Sequence, residues 1–147
     1  MRSILLFLLF AVFVACNPYK ALRNDSFTYT TNGVLQTIAL KVPKGYTNKQ
    51  EETDAAGNLG RTYRYSNGAT LYFVYAANDT SFQRFDSTEQ VARPQLNGGI
   101  FYKWQEPATE RFWRTVFNKN MRFGYTNATI DKQEALLDSA LNFVRVH

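Results

Sequence analysis

The sequence predicts an α+β fold, in which a mainly antiparallel sheet of six or seven strands, rich in hairpins, is packed by a C-terminal helix. Two Asn-Gly pairs, Asn32-Gly33 and Asn67-Gly68, each separate two strand-like runs, which is the pattern of a β-hairpin. Three further strand-like segments lie between residues 99 and 125. Near the end of the chain the apolar residues change to helical spacing, which indicates one terminal helix.

Residues 1–26 precede the predicted sheet and have a composition of their own. Arg2 is followed by an unbroken apolar run from Ile4 to Val14. That run is too short for a transmembrane helix, which needs about 20 apolar residues. A basic residue, a short apolar run and then the small residue Ala15 are typical of a signal peptide. We therefore expect residues 1–15 to be removed in the mature protein.

The end of this segment resembles the lipobox of bacterial lipoproteins. Val14, Ala15 and Cys16 match the lipobox pattern, and Phe13 stands where that pattern usually has Leu. The resemblance implies cleavage after Ala15, a diacylglyceryl group on the Cys16 thiol and acylation of the new amino terminus. Two or more acyl chains anchor a protein stably to a membrane. The alternative is an incidental cysteine in a plain signal peptide or an uncleaved anchor.

The same resemblance implies a location in the bacterial cell envelope. In the enteric sorting rule, Asp after the lipidated Cys retains a lipoprotein in the inner membrane, whereas Asn17 follows Cys16 here. We therefore expect the outer membrane, on the side that faces the periplasm. Residues 16–26 have no periodicity and form a tether of at most ~35 Å. Residues 27–147 then form a single domain, long enough to bury a core.

The Asn32-Gly33 turn predicts the register of the first hairpin. A type I′ turn needs positive φ at both central residues, which Asn and Gly tolerate. Pairing across this turn places Phe27 opposite Ile38 and separates apolar from polar side chains. The apolar face contains Phe27, Tyr29, Val34, Ile38, Leu40 and Val42, and the other face contains Thr28, Thr30 and Thr37.

The segments that follow alternate between loop and strand patterns. Residues 44–60 are polar and contain several glycines, so we expect a loop with at most one helical turn. The second hairpin bends at Asn67-Gly68, and the apolar run Leu71–Tyr75 predicts a central strand covered on both sides. Ser87 or Thr88 is expected to cap a short helix that ends before Pro94. Three more strands are expected at Gly99–Gln105, Arg111–Asn118 and Met121–Tyr125.

The C-terminal helix is predicted from a capping box and an apolar stripe. Asp131 and Glu134 have the capping-box spacing. The stripe that follows contains Leu137, Ala140, Leu141 and Val144, widened by Leu136 and Phe143. With "LKVPKGY" after a strand and a helix at the end, the domain is loosely similar to the small PsbP/Mog1-like α+β folds. That similarity concerns the fold and implies no activity.

The inventory of reactive side chains argues against several classes of enzyme. The chain has one cysteine, Cys16, and one histidine, His147, which is the last residue. Zinc sites and nucleophile–base pairs usually need more of these residues. No glycine-rich phosphate loop is present in the sequence. We therefore expect no metal and no cofactor, and we do not favour an enzymatic activity.

Carboxylates are the remaining catalytic candidates. Glu51, Glu52 and Asp54 cluster in the predicted loop, and Glu106 and Glu110 flank Pro107 between two predicted strands. A glycosidase needs two carboxylates about 5–9.5 Å apart across a cleft. Charged loop residues are more often only solvated, so catalysis at these positions is the less favoured interpretation.

Basic and aromatic residues interleave in four segments, "RTYRY", "KW", "RFWR" and "MRF". One interpretation is a basic aromatic surface that stacks on sugar rings or nucleobases, with Trp104 and Trp113 as candidate contacts. The alternative, which we favour, places the aromatic rings inward and the arginines outward by strand alternation. An envelope location argues against nucleic acid as a partner.

These observations favour a lipid-anchored envelope protein that acts as a non-enzymatic interaction or accessory module. Its partners would be the membrane, through the lipid on Cys16, and an envelope protein or a glycan. The net charge of +5 gives a mild preference for acidic surfaces. A carrier of a small apolar ligand, held between the sheet and the helix, is the second hypothesis, and a carboxylate-dependent enzyme is the third.

Overall fold

A computed structural model describes residues 21–53, 55, 57–76, 91–94, 99–129 and 132–145. These residues form a two-stranded sheet, a seven-stranded sheet and one helix, and every neighbouring pair of strands is antiparallel. The predicted α+β class is confirmed. The seven-stranded sheet lies at the upper end of the predicted strand count, and the first hairpin forms a sheet of its own.

The elements follow one another in the order of nine strands and a helix. They are β1 (Leu22–Thr31), β2 (Val34–Pro43), β3 (Tyr46–Thr53), β4 (Leu59–Tyr65), β5 (Thr70–Tyr75), β6 (Val91–Pro94), β7 (Ile100–Glu106), β8 (Arg111–Asn118), β9 (Met121–Ala128) and α1 (Lys132–Asn142). The strand order in the large sheet is β3-β4-β5-β9-β8-β7-β6.

The first hairpin has the predicted turn and register. Asn32 and Gly33 have φ angles of 50° and 75°, as a type I′ turn requires. Phe27 pairs with Ile38, as expected, and both side chains are buried. Val34 lies on the same face as Ile38 but is 55% exposed. The reason is its place beside the turn, at the exposed tip of the hairpin.

The second hairpin is also present, with a different turn. Gly68 has a φ of 87°, whereas Asn67 does not have a positive φ. The Gly68 amide donates to the Tyr65 carbonyl at 3.0 Å, and the Tyr65 amide donates to the Ala69 carbonyl at 2.9 Å. The loop therefore has three residues and a glycine in the left-handed region, a common alternative to the two-residue type I′ turn.

The predicted tether over residues 16–26 extends too far, because residues 22–26 belong to β1.

Two predictions about the later segments were also wrong. The expected loop over residues 44–60 contains β3, whose side chains are exposed except for the half-buried Tyr46. An edge strand with solvent around it needs no apolar face, so its polar sequence looked like a loop.

The expected helix before Pro94 conflicts with β6, which spans Val91–Pro94. A proline is tolerated there because β6 is the other edge of the sheet. Ser87 and Thr88 lie outside the described residues.

The β1–β2 hairpin and α1 cover the same face of the large sheet, which we call the inner face. The Tyr29 ring stacks on the Tyr75 ring at 4.1 Å, and the Tyr65 hydroxyl donates to the Pro43 carbonyl at 3.0 Å. From α1 and the residues after it, the predicted stripe of Leu137, Ala140, Leu141 and Val144 is completely buried. The terminal helix and its apolar face are therefore confirmed, whereas Asp131 lies outside the described residues.

The other face of the large sheet, the outer face, contacts neither the hairpin nor α1. In β5 the inward residues Leu71, Phe73 and Tyr75 are buried, whereas Tyr72 and Val74 between them are half-buried. The predicted central position of β5 is confirmed, since it lies between β4 and β9, but its inward side chains are buried and its outward ones only half-buried. The alternation arises because the hairpin and the helix together supply one covering layer.

Candidate functional site

The inner face holds two clusters of charged side chains, one under each covering element. The helix cluster joins α1 to the sheet. Arg114, which is 5% exposed, donates from Nη1 to Asp138 Oδ1 at 2.8 Å. Lys103 Nζ lies 2.8 Å from Asp138 Oδ2, and the Tyr125 hydroxyl donates to Asp138 Oδ1 at 2.9 Å. Glu134 completes the cluster by an ion pair with Lys103.

The hairpin cluster joins β1 to the sheet in the same way. Lys49 Nζ lies 2.9 Å from Asp25 Oδ2, and the Tyr63 hydroxyl donates to the same oxygen at 3.0 Å. The buried Arg61 contacts Asp25 at 3.5 Å, forms an ion pair with Glu51 and donates to the Ser26 carbonyl. The hairpin cluster therefore has the same composition as the helix cluster, with one Asp, one Glu, one Arg, one Lys and one Tyr.

The protonation states in both clusters follow from burial and hydrogen bonding. Burial acts to raise the pKa of Asp138, but hydrogen bonds from Lys103 and Arg114 outweigh it and hold that pKa below its usual value. For Asp25, burial is likewise outweighed, mainly by the hydrogen bond from Lys49. Burial raises the pKa of Tyr125, and Asp138 raises it further, so the hydroxyl stays a donor. Asp25 and Asp138 are therefore held as carboxylates within two structural networks.

The candidate catalytic carboxylates do not come together. Glu51 and Glu52 are neighbours on β3, so their side chains point to opposite faces, and Glu51 is paired with Arg61. Glu106 and Glu110 are exposed at the two ends of one turn, where the Glu110 amide donates to the Glu106 carbonyl at 2.8 Å. Asp54 lies outside the described residues. Within the described part of the chain, no group of three or more potential ligands is placed to hold a metal ion.

Of the interleaved basic and aromatic residues, some aromatic side chains and some arginines point to the inner face. In β4, Tyr63 and Tyr65 point inward and Arg64 is exposed, as expected from the favoured interpretation. Arg61 and Arg114 contradict it, because both guanidinium groups are buried on the inner face. The Arg114 guanidinium carbon lies 4.4 Å from the centre of the Phe101 ring, an attractive geometry for a cation over an aromatic face.

As a consequence, aromatic rings lie on the outer face of β7 and β8. Trp104 and Trp113 are paired across the two strands and stack with ring centres 5.8 Å apart. Tyr102 and Phe117 meet edge to face at the same distance. The candidate contacts Trp104 and Trp113 are both half-buried, so they are neither core residues nor fully exposed.

An open groove of about 620 Å³ lies on the outer face over β4, β5 and β9. Its floor is Tyr72, whose hydroxyl lies 2.7 Å from Thr115 Oγ1 and above Gly124. A Cβ atom at Gly124 would clash with the Arg114 carbonyl oxygen and would lie 2.7 Å from that hydroxyl, so this position requires glycine. The lining residues are Thr62, Arg64, Gly68, Thr70, Tyr72, Val74, Arg122 and Thr126.

The groove offers hydrogen-bonding groups and charge, and the Arg122 guanidinium carbon lies over its one aromatic ring, 5.8 Å from the centre of the Tyr72 ring. Threonine hydroxyls both donate and accept hydrogen bonds. The exposed Arg64 guanidinium suits a carboxylate or a phosphate, which it can bind through two parallel hydrogen bonds. Burial raises the pKa of Tyr72, so its ring stays neutral. Together these groups can hydrogen-bond to hydroxyl groups and bind a negative charge.

Arg64 and Arg122 belong to the interleaved basic and aromatic segments, whereas the groove threonines lie outside the pattern that singled these segments out. Thr62, Thr70 and Thr126 belong to three strands and are brought together only by the pairing of β4 with β5 and of β5 with β9. The available signal was the pair Thr62 and Arg64 at alternate residues of β4, in the outward phase.

No helix among the described residues has the length and hydropathy that crossing a membrane requires. Comparison with known proteins finds no matching family model, curated protein sequence or solved structure. The lipobox resemblance and the loose similarity to PsbP/Mog1-like folds stay predictions from the sequence, and Cys16 lies outside the described residues.

The helix cluster generates a prediction about stability. Asp138→Asn keeps the shape of the side chain but leaves the buried Arg114 without its counter-charge. We expect the free energy of unfolding at neutral pH, measured by urea denaturation, to fall by about 3 kcal/mol. Glu110→Gln removes the same charge from an exposed turn and is expected to change it by less than about 0.5 kcal/mol. Equal losses in the two variants would contradict a structural role of the pair.

Proposed function

We propose that this chain is a lipid-anchored bacterial envelope protein whose domain is a non-enzymatic binding module for an acidic glycan. The observation that carries the proposal is the open groove on the outer face, with Tyr72 as its floor and Arg64 at its rim. Anchoring through Cys16 to the outer membrane, on its periplasmic side, is the part of the proposal that rests on the lipobox resemblance.

The position of the groove supports a binding role. The hairpin and α1 pack on the inner face, so the groove side chains are not needed to hold the layers together. Surface positions without a packing role are the ones that a protein can adapt to a ligand. The mild positive charge of the chain favours an anionic partner, as the Arg64 guanidinium does.

The two competing hypotheses have less support. An apolar carrier needs space between the sheet and its covering layer. There the side chains of Phe27, Phe73, Phe123, Leu137 and Leu141 are almost completely buried and pack in one cluster. A carboxylate-dependent enzyme needs two acids facing one cleft, and the candidate pairs that the structure describes point apart or lie in an exposed turn.

The anchor is tested by the intact mass of the mature protein beside a Cys16→Ser variant. We expect the wild-type chain to lack residues 1–15, to carry two or three acyl chains and to partition into detergent. The variant is expected to lack the acyl mass and to remain in the aqueous phase, because the thiol is the attachment point. A wild-type chain without acyl mass would overturn the lipid anchor.

The groove is tested with tetragalacturonate as an acidic probe and maltotetraose as a neutral one, by calorimetric titration of the full chain. We expect the acidic probe to bind more tightly, and its affinity to fall as salt is added. Arg64→Ala is expected to weaken that binding by about tenfold, the effect of one lost charge-assisted contact. Lys44→Ala removes an exposed charge away from the groove and serves as the control.

Two results would contradict the glycan proposal. One is absence of binding to the acidic probe by the wild-type chain. The other is an equal loss of affinity in Arg64→Ala and Lys44→Ala, since that would mean attraction by net charge without a defined site.

A further inference from the structure

We infer that the outer edge of β3 pairs with β3 of a second copy of this chain, joining two seven-stranded sheets into one. In the described sheet β3 has a neighbour on one side only, β4. Seven of its eight residues are exposed. A free strand edge presents unpaired N–H and C=O groups that another strand can complete.

The backbone fixes which residues of β3 present those groups. The Ala76 amide donates to Asn120, so the even-numbered residues of β5 direct their backbone groups toward β9. Because successive residues of a strand direct these groups to opposite edges, the odd-numbered residues of β5 face β4. The Tyr65–Ala69 hydrogen bond agrees, since it directs the odd-numbered residues of β4 toward β5.

The even-numbered residues of β4 therefore face β3. Thr62 pairs with Gln50, and Gly60 pairs with Glu52, so Gln50 and Glu52 direct their backbone groups inward, toward β4. Lys49, Glu51 and Thr53 consequently direct theirs outward, to the free edge.

Because only the odd-numbered residues of β3 direct their backbone groups to the free edge, two copies can pair in only some registers. In an antiparallel pair the outward-directed residues must face one another, so odd-numbered residues pair with odd-numbered ones. One such register places Lys49 opposite Glu51 of the second copy, twice by symmetry. Shifting it by one step either way places Lys49 opposite Lys49 or Glu51 opposite Glu51, and like charges directly opposite are unfavourable. Charge complementarity therefore selects a single register, centred on Gln50.

Charged residues on an edge strand usually oppose pairing with other sheets. In β3, charges of opposite sign face each other in the selected register, so the edge is complementary to the same edge of a second copy. The side chains of Lys49 and Glu51 are 35% and 53% exposed, so each can accept a further partner beside Asp25 and Arg61. A second copy fits because one segment supplies both charges.

The symmetry of this pair keeps the two hairpins on the same side. The two-fold axis passes between the Gln50 residues, perpendicular to the sheet, so the inner faces of both copies stay on one side. Both chains enter their domains at Ala21, before β1, on that side. Two anchors in one membrane would raise the effective concentration of the copies for each other.

The charge pairs are tested by sedimentation velocity of the full chain in detergent, over the micromolar range. We expect a dimer of the wild-type chain, weakened by about tenfold in Lys49→Glu and in Glu51→Lys, because each variant faces like charges across the interface. An equimolar mixture of the two variants is expected to dimerise again, since the two substituted positions then carry opposite charges and face each other. Lys44→Glu is the control and is expected to dimerise as the wild type does.

The mixture distinguishes the effect of charges across the interface from the effect of losing an ion pair within each copy. Each variant lacks its contact with Asp25 or Arg61 both alone and in the mixture, so only pairing between copies differs. A wild-type chain that stays monomeric, which would leave the edge to another protein, would overturn the inference. So would a mixture that stays monomeric although both variants retain the wild-type circular dichroism spectrum.

The register is tested by disulfide formation in a Cys16→Ser chain. Gln50→Cys is expected to cross-link, because directly opposed residues of this kind have Cα atoms about 4.5 Å apart. Glu52→Cys is expected to cross-link only when mixed with Asn48→Cys, its partner position in the selected register. Cross-linking of Glu52→Cys by itself, without that of Gln50→Cys, would contradict the register.

Discussion

The packing of the hairpin and the helix on the sheet depends on two aspartates, each of which is bound by an arginine from the inner face of the sheet. Asp25 lies on the hairpin and Asp138 on the helix, the two elements that cover the sheet. Arg61 and Arg114 come from the sheet, where burial of a guanidinium group is costly unless a carboxylate and further hydrogen bonds compensate it. Each aspartate also accepts a hydrogen bond from a tyrosine, Tyr63 or Tyr125. The same arrangement therefore occurs under both covering elements, the hairpin and the helix.

The inward arginines account for the distribution of the remaining side chains. Since strand residues alternate between faces, placing Arg114 inward places Trp113 outward, and placing Lys103 inward places Trp104 outward. The two indole rings then stack on the outer face, beside the groove that holds Tyr72, Arg64 and the threonines. Structural charges thus lie under the covering layer, and the groups suited to binding lie on the opposite face. The proposed glycan site follows from that separation.

The sequence was sufficient for elements whose pattern is local. The Asn32-Gly33 turn determined the hairpin register, and the limits of β8 agree with the prediction. The apolar stripe of α1 was also predictable, because one face of a helix is read from consecutive residues. The β3 edge was not, since an exposed strand lacks the apolar alternation that identifies strands. In β8 both alternating sets contain aromatic residues, so periodicity does not decide which set is buried. That choice depends on Asp138, which is distant in sequence.

The most direct test of this account is a titration of the Asp25 and Asp138 carboxyl groups by NMR in the folded protein. We expect the pKa of both to lie below the ordinary value of 3.8, because each carboxylate is held by a lysine and an arginine. The stability that they contribute would be complete above that value and be lost as the pH falls through the lower, folded-state pKa. A pKa at or above 3.8 for either group would show that burial outweighs the ion pairs, and would contradict the role of these aspartates in joining the layers.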